Sequence, residues 1–136
     1  MNKNSHGSFL VEYDYVDENI LVFRLVENWN METAKEFVDE SLKIVEDRFS
    51  GERWASIVDY RKWGLCTPEV MNYFNGSCTL FSASNLVRHA VIPNNQLQSM
   101  VVGQYSHAMK ESVITQYFIE ENTALAWVRE SLKRSQ

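Results

Sequence analysis

Cysteine and long apolar runs are both scarce in this sequence. Its 136 residues include two cysteines, Cys66 and Cys78. The strongest apolar run, Ile20–Val26, is interrupted by Arg24 and falls far short of the ~20 apolar residues that span a bilayer. The first residues are polar and lack the apolar stretch of a signal peptide. We therefore expect a cytoplasmic protein without membrane insertion, with reduced thiols and a mobile tail over residues 1–7.

Motifs for catalysis and for ligand binding are also missing. The sequence has five glycines, but no glycine-rich phosphate loop and no Gly-x-Ser-x-Gly elbow. A transition-metal site needs ligands at short spacing, whereas the cysteines and histidines are scattered along the chain. His89 falls within an apolar run and His107 near the end of a helical pattern, so a structural role suits each better than that of a general base. We expect no enzyme activity, no cofactor and no metal site.

Basic residues are outnumbered by acidic ones. The sequence has 13 Lys and Arg against 18 Asp and Glu, a net charge of -5, and the basic residues do not cluster. Such a chain repels nucleic acid, so we expect no nucleic-acid partner. With 45% hydrophobic residues, the chain can bury a core of its own, which predicts one domain over residues 1–136.

The N-terminal third of the sequence predicts a hairpin followed by a helix. Residues Ser8–Val16 alternate between apolar and polar, as is typical of a half-exposed strand at the edge of a sheet. Ile20–Phe23 is continuously apolar and suits a strand that is covered on both faces. From Met31 onward the apolar residues follow helical spacing, and Ser50-Gly51 provides the stop.

The rest of the chain alternates between strand and helix patterns. In chain order we predict strand Trp54–Asp59, a helix starting at Thr67-Pro68-Glu69, strand Leu86–Ile92, a helix whose apolar stripe runs from Leu97 to Met109, strand Val113–Ile119, and a last helix capped by Asn122. This alternation favours a mostly parallel sheet with helices packed against it. Trp127 falls on the buried stripe of the last helix, which predicts a cost of about 3–5 kcal/mol for Trp127→Ala.

Three segments give the sequence a family resemblance. They are the strands Ile57-Val58-Asp59 and Ala90-Val91-Ile92 and the terminal pattern from Tyr117-Phe118 to Ala124–Val128. In this order of elements the chain resembles the SpoIIAA-like proteins, relatives of STAS and Sec14-type domains. The resemblance implies an α/β fold with a sheet of about five mostly parallel strands, an antiparallel edge hairpin and four helices. It also implies a small domain without catalytic apparatus.

The sequence departs from the resemblance at one functional position. The distant relatives that regulate anti-sigma factors carry an Asp-Ser-Ser-Gly-type stretch, whose serine is phosphorylated, at the start of the helix after the third core strand. This chain has Asp59-Tyr60-Arg61-Lys62-Trp63 and then Thr67 instead. A phosphorylation switch therefore does not carry over, and an ordinary N-cap accounts for Thr67 followed by Pro68.

The candidate binding surface is the segment from Asp59 to Thr67. We predict a loop here, between the carboxyl end of a strand and the amino end of a helix, where ligands find backbone donors. The proposed binding residues are Asp59, Tyr60, Arg61, Trp63 and Thr67, of which Tyr, Trp and Arg are the types that dominate binding hot spots. In the structural alternative Asp59 pairs with Arg61 and Trp63 covers the second helix.

Two functional hypotheses follow. The first is a non-enzymatic regulatory or protein-interaction module of STAS-like type, with an unidentified protein partner and a homodimer left open. The second is a carrier or binder of a small, lipid-like apolar ligand between the second and third helices, lined by Met71, Phe74, Met100 and Tyr105. Residues at helical spacing equally form an ordinary core.

Overall fold

Five strands and three α-helices make up the part of the chain that the structure describes. The computed structural model describes residues 8–64, 66–77, 80–81, 83–93 and 113–134. In chain order the elements are β1 (Ser8–Glu12), β2 (Ile20–Glu27), α1 (Met31–Phe49), β3 (Trp54–Trp63), α2 (Pro68–Gly76), β4 (Leu86–Ile92), β5 (Ile114–Tyr117) and α3 (Glu121–Arg134). Within these ranges no helix has the length and apolar character needed to cross a membrane.

The strands form one mixed sheet in the order β1-β2-β3-β4-β5. β1 runs antiparallel to β2, and every later neighbour is parallel. The predicted hairpin and the edge position of the first strand are therefore confirmed. β1 ends at Glu12 rather than Val16, because a short 3-10 turn over Val16–Glu18 and the left-handed Asn19 bring the chain into β2.

Different helices cover the two faces of the sheet. On one face, apolar residues such as Phe23 pack with Phe37 of α1 and Phe74 of α2. On the other face, residues such as Ile57 pack with Val128 of α3. Because successive strand residues point to opposite faces, β2 and β3 must be apolar on both sides where both layers cover them.

α1 is bounded by local signals that the sequence carries. The Asn30 side chain accepts a hydrogen bond from the Thr33 amide at 2.9 Å and caps the amino end. After Phe49 the chain turns at Gly51, whose φ of 78° suits glycine because it has no Cβ. The predicted stop at Ser50-Gly51 is confirmed.

α2 also starts as predicted, with Thr67 as its N-cap. The Thr67 hydroxyl accepts from the Val70 amide at 3.3 Å, and the first helical residue is proline. Val70 and Phe74 are buried, while Met71 is only partly buried. The helix ends at Gly76, consistent with the low helix propensity of glycine.

Other predictions fall outside the described residues or need correction. The predicted helix from Leu97 to Met109 lies outside them, as does Cys78. The prediction that Asn122 caps the last helix is wrong, because α3 begins at Glu121 and places Asn122 in its first turn. The last strand is shorter than predicted and covers Ile114–Tyr117.

Trp127 lies at the margin of the core rather than inside it. Ala124 and Val128 are fully buried on α3, but Trp127 is partly buried and packs against Phe118 at a ring distance of 5.5 Å. The Arg88 guanidinium lies 6.0 Å from the centre of its ring. Because the ring is only partly buried, we now expect the cost of Trp127→Ala to lie below the range predicted from the sequence.

We expect Trp54→Ala to destabilise the protein far more than Trp127→Ala. Trp54 is fully buried, stacks on Phe49 and donates to the Ser84 carbonyl at 3.0 Å, so its loss should cost about 3–5 kcal/mol. Trp127→Ala should cost about 1–2 kcal/mol. Urea unfolding of the two variants measures both values, and equal losses would contradict this placement of Trp127.

Candidate functional site

The segment that carries the candidate site is a strand, not a loop. β3 continues through Trp63, because β2 extends to Glu27 and pairs with it to the end. Val26 lies opposite Lys62 and Glu27 opposite Trp63, after a register shift in which β3 contains one extra residue between Asp59 and Lys62. The backbone of this segment therefore hydrogen-bonds within the sheet. The predicted loop is corrected to begin after Trp63.

Two of the predicted binding residues lie in the core. Tyr60 is 0% exposed and Trp63 is 3% exposed. The Trp63 ring lies 5.1 Å from Tyr60, 5.5 Å from Trp29 and 5.5 Å from Phe74, measured between ring centroids. Trp63 thus packs on α2, as the structural alternative described. Neither ring is accessible to a ligand in this conformation.

Asp59 and Arg61 lie on the opposite face of β3, the face that α3 covers in part. The Asp59 carboxylate accepts from the Arg61 amide at 3.0 Å, from Nε at 2.9 Å and from Nη2 at 3.0 Å. This is the pairing that the structural alternative described. Arg61 is 45% exposed along its side chain, whereas Asp59 is 12% exposed.

Arg24 connects Asp59 to two further carboxylates. It lies opposite Asp59 in the ladder between β2 and β3, and its Nη1 donates to Asp59 at 2.8 Å. Its Nε and Nη2 donate to Glu12 at 2.8 and 2.9 Å. Its Nη1 and Nη2 donate to Glu121 at 2.8 and 3.1 Å. We call Glu12, Arg24, Asp59, Arg61 and Glu121 the Arg24 cluster.

Ion pairs hold four members of the Arg24 cluster in their charged forms. Hydrogen bonds from Arg24 hold the pKa of Glu12 below its usual range. Burial acts to raise the pKa of Asp59, but the hydrogen bonds from Arg61 and Arg24 outweigh it and the pKa is lowered. The carboxylates in turn raise the pKa of Arg24 and of Arg61. These four groups stay ionised near neutral pH, which favours a fixed cross-link over proton transfer.

Sequence reasoning missed three members of the cluster. Glu12 lies at the end of an edge strand and Glu121 at the start of α3, far from Arg24 in the chain. The one available signal was Arg24 itself, a charge inside the apolar run Ile20–Val26. A charged residue in a strand that is otherwise buried needs partners, and those partners mark a polar cluster.

Thr67 is exposed, and its hydroxyl is engaged as the cap of α2. Of the five predicted binding residues, Arg61 and Thr67 therefore present their side chains most fully to solvent. Cys66, just before the cap, is half-buried, and burial raises the pKa of its thiol. A raised pKa leaves the thiol protonated and weakly reactive near neutral pH.

The residues of the predicted apolar pocket are described only in part. Met100 and Tyr105 lie outside the described residues. Phe74 is buried, and its ring packs 6.0 Å from Phe37 in the aromatic cluster between α1, α2 and the sheet. Met71 is partly buried at the rim of the same cluster.

A small cavity lies between the sheet and the helices α1 and α2. Its volume is about 20 Å³, enough for about one water molecule and far below the roughly 300 Å³ of a typical ligand pocket. Aromatic rings line most of it, and Ser56 and His89 provide its polar wall.

Ser56 and His89 form a buried polar pair on neighbouring strands. Ser56 Oγ lies 2.8 Å from His89 Nδ1, and both residues are almost fully buried. Burial lowers the pKa of His89 to about 4, so the ring is neutral at pH 7. In the described ranges, histidine, cysteine and carboxylate side chains form no group of three that could hold a metal ion.

A wider groove opens at the other end of the sheet. It has a volume of about 560 Å³ and lies between the carboxyl end of α1 and the chain before β4. Leu42, Phe49 and Leu80 line it together with polar groups of Ser84 and Asn85. The groove lies away from every residue of the predicted binding site.

The architecture is a SpoIIAA-like fold, as the sequence resemblance predicted. A solved structure with this fold is similar to it, that of an uncharacterized protein of the DUF3478 family from Shewanella loihica PV-4. The TM-score is 0.70 at 14% identity, over 94% of this chain and 98% of that one. At this identity the likeness shows the fold alone.

The family follows from the sequence model that matches the chain. Residues 15–132 match the family described as a domain of unknown function, DUF7793, and the chain belongs to that family. The comparison with curated proteins finds no match.

Removing the central guanidinium should weaken the fold. In Arg24→Ala, Glu12, Asp59 and Glu121 lose their shared donor and repel one another, so we expect a loss of about 2–3 kcal/mol. The matched control is Arg129→Ala, which breaks a surface pair with Glu18 and should change the free energy of unfolding little. Equal losses, measured by urea unfolding at pH 7, would show that the Arg24 cluster does not stabilise the fold.

His89 should make the protein less stable as the pH falls below about 6.5. The pKa is about 4 in the folded state and near 6.5 in the unfolded chain, so the unfolded chain binds more protons between these values. The free energy of unfolding therefore decreases as the pH is lowered through this window, by about 2 kcal/mol between pH 7.5 and pH 5.

The contribution of His89 is isolated by comparison with His89→Gln. The difference in unfolding free energy between pH 7.5 and 5 should shrink in this variant, whatever its stability at pH 7.5. Glu12 and Asp59 also have lowered pKa values, but their effect on stability appears at lower pH. The stability that their ion pairs provide is lost only as the carboxylates become protonated. If the difference in unfolding free energy between pH 7.5 and pH 5 is unchanged in His89→Gln, His89 is not the source of this pH dependence.

Proposed function

We propose that this chain is a non-enzymatic protein-interaction module with a regulatory role, and that it binds a protein partner over the exposed side of the Arg24 cluster. The observation that supports this most is Arg61, a half-exposed guanidinium held rigidly on an open part of the sheet. The cluster itself is internally satisfied, so it suits the presentation of a surface better than it suits chemistry.

The sheet face around the cluster offers both apolar and polar contacts. α3 packs on β3 and β4, and towards β1 the same face carries Leu10, which is 53% exposed. Leu10 lies opposite Arg24 in the hairpin. An apolar residue beside a fixed arginine is typical of protein interfaces.

Arg61 is preorganised for such contact. Its Nε and Nη2 bind Asp59, which fixes the plane of the guanidinium. Its Nη1 donates to no residue in the described part of the chain, and so remains available to a partner. Because the side chain is already ordered, binding costs less conformational entropy than it would for a free arginine. The partner surface would offer an acceptor for Arg61 and apolar contact for Leu10.

The second hypothesis, a carrier of a small apolar ligand, gains less support. The cavity beside Phe74 holds about one water molecule, and two of the four predicted pocket residues lie outside the described ranges. The wider groove near Phe49 is open to solvent and is lined by polar as well as apolar groups. A protein partner therefore remains the stronger proposal.

Arg61→Ala should reduce partner capture about tenfold, the effect of losing about 1.4 kcal/mol of binding free energy. The measurement is quantitative affinity capture from cells of the source organism with wild type and variants as bait. Arg129→Ala is a matched control, because Arg129 is 44% exposed and also forms a surface ion pair, with Glu18. Thermal unfolding checks that each bait is folded.

The comparison between the two variants decides the outcome. Loss of the same protein from Arg61→Ala, with retention by wild type and Arg129→Ala, would support the proposal. If both variants capture it equally, the exposed side of the Arg24 cluster is not the binding surface.

A further inference from the structure

β5 forms the edge of the sheet opposite β1, and in the described part of the chain no strand pairs with its outer side. Apolar groups are exposed here to an unusual degree. Ile114 is 49% exposed, Tyr117 is 41% exposed and Ile119, just beyond the strand, is 90% exposed. Such a surface on an edge strand is a template for pairing with another strand.

The two edges of the sheet differ in charge. Residues 113–119 read Val-Ile-Thr-Gln-Tyr-Phe-Ile and include no charged residue and no proline. β1 ends in the charged residue Glu12, whereas the first charged residues after β5, Glu120 and Glu121, lie beyond residue 119. Natural edge strands are commonly protected from pairing by charges or proline, and β5 lacks both. In a chain of net charge -5, β5 is a place where two copies can approach without like charges in contact.

The outward backbone groups of β5 can be assigned from its pairing with β4. The Phe118 amide donates to the Val91 carbonyl at 2.8 Å, so Phe118 directs its amide towards β4. Backbone groups of successive strand residues point in opposite directions. Thr115 and Tyr117 therefore direct their N–H and C=O groups outward, and Gln116 directs its own towards β4.

The sequence of β5 is complementary to itself in one antiparallel register. With a two-fold axis at Gln116, Thr115 lies opposite Tyr117 of the second copy, and both have outward backbone groups that hydrogen-bond as a pair. On the other face Ile114 lies opposite Phe118. Both pairs join an aromatic with a β-branched residue, a favourable cross-strand combination.

We propose that β5 binds β5 of a second copy of this chain, antiparallel and centred on Gln116, so that the two sheets become one. A second copy of this chain is the partner because the register is self-complementary and because residues 113–119 carry no charge. β3 and β4 separate β5 from Arg24 on β2, so the two surfaces are tested with different variants.

Cysteine cross-linking tests the register. At the two-fold axis, residue 116 faces its own copy in a non-hydrogen-bonded pair, where the Cα separation of about 4.5 Å allows a disulfide. Gln116→Cys should form a covalent dimer under mild oxidation about tenfold faster than Leu10→Cys, which places a thiol at an exposed position on the other edge strand. The wild-type protein, which contains Cys66 and Cys78, measures the background of covalent dimer formation by these two cysteines.

A charged substitution at the proposed two-fold axis tests whether two copies of the chain associate through β5. Sedimentation of wild type over increasing concentration should give a mass approaching twice the 15.9 kDa of one chain. Gln116→Glu places two carboxylates against each other and should shift the dimer to monomer, whereas Leu10→Glu on β1 should not. A wild type that stays monomeric, a Gln116→Glu that still dimerises, or equal cross-linking of the two cysteine variants would overturn the proposal.

Discussion

The guanidinium of Arg24 is the interaction on which this arrangement depends most. It lies in a strand that is otherwise apolar, and it donates to carboxylates from β1, β3 and α3. An arginine in such a position is stable only when partners replace its lost hydration. The need to satisfy one charge therefore ties the edge hairpin, the central strands and the last helix to one geometry.

The same interaction limits what the site can do. In open α/β sheets the carboxyl ends of the strands are where ligands usually bind. Here the Asp59 carboxylate lies within β3 and is bound by Arg24 and Arg61, and the aromatic rings of Tyr60 and Trp63 are packed in the core. Within the described residues, the surfaces that we propose for other molecules are Arg61 beside the open sheet and the uncharged edge of β5.

Several elements were predictable because their signals are local. Periodicity, caps and turn residues within a few positions of each other predict the hairpin, α1, α2 and the order of strands and helices along the chain. The end of β3 was not predictable in this way. Asp59 ends an apolar run and resembles the end of a strand, yet β3 continues to Trp63 because β2 continues beside it. Pairing between distant segments decides strand length.

The sequence by itself determined the SpoIIAA-like fold, the mixed sheet with its edge hairpin, and the starts of α1 and α2. Only the tertiary structure decided which side of β3 each candidate residue occupies, placing Trp63 in the core and Arg61 at the surface. It also brought Glu12 and Glu121 to Arg24. The physical reason is that periodicity and capping are properties of neighbouring residues, whereas ion pairs and burial depend on segments that meet only when the chain folds.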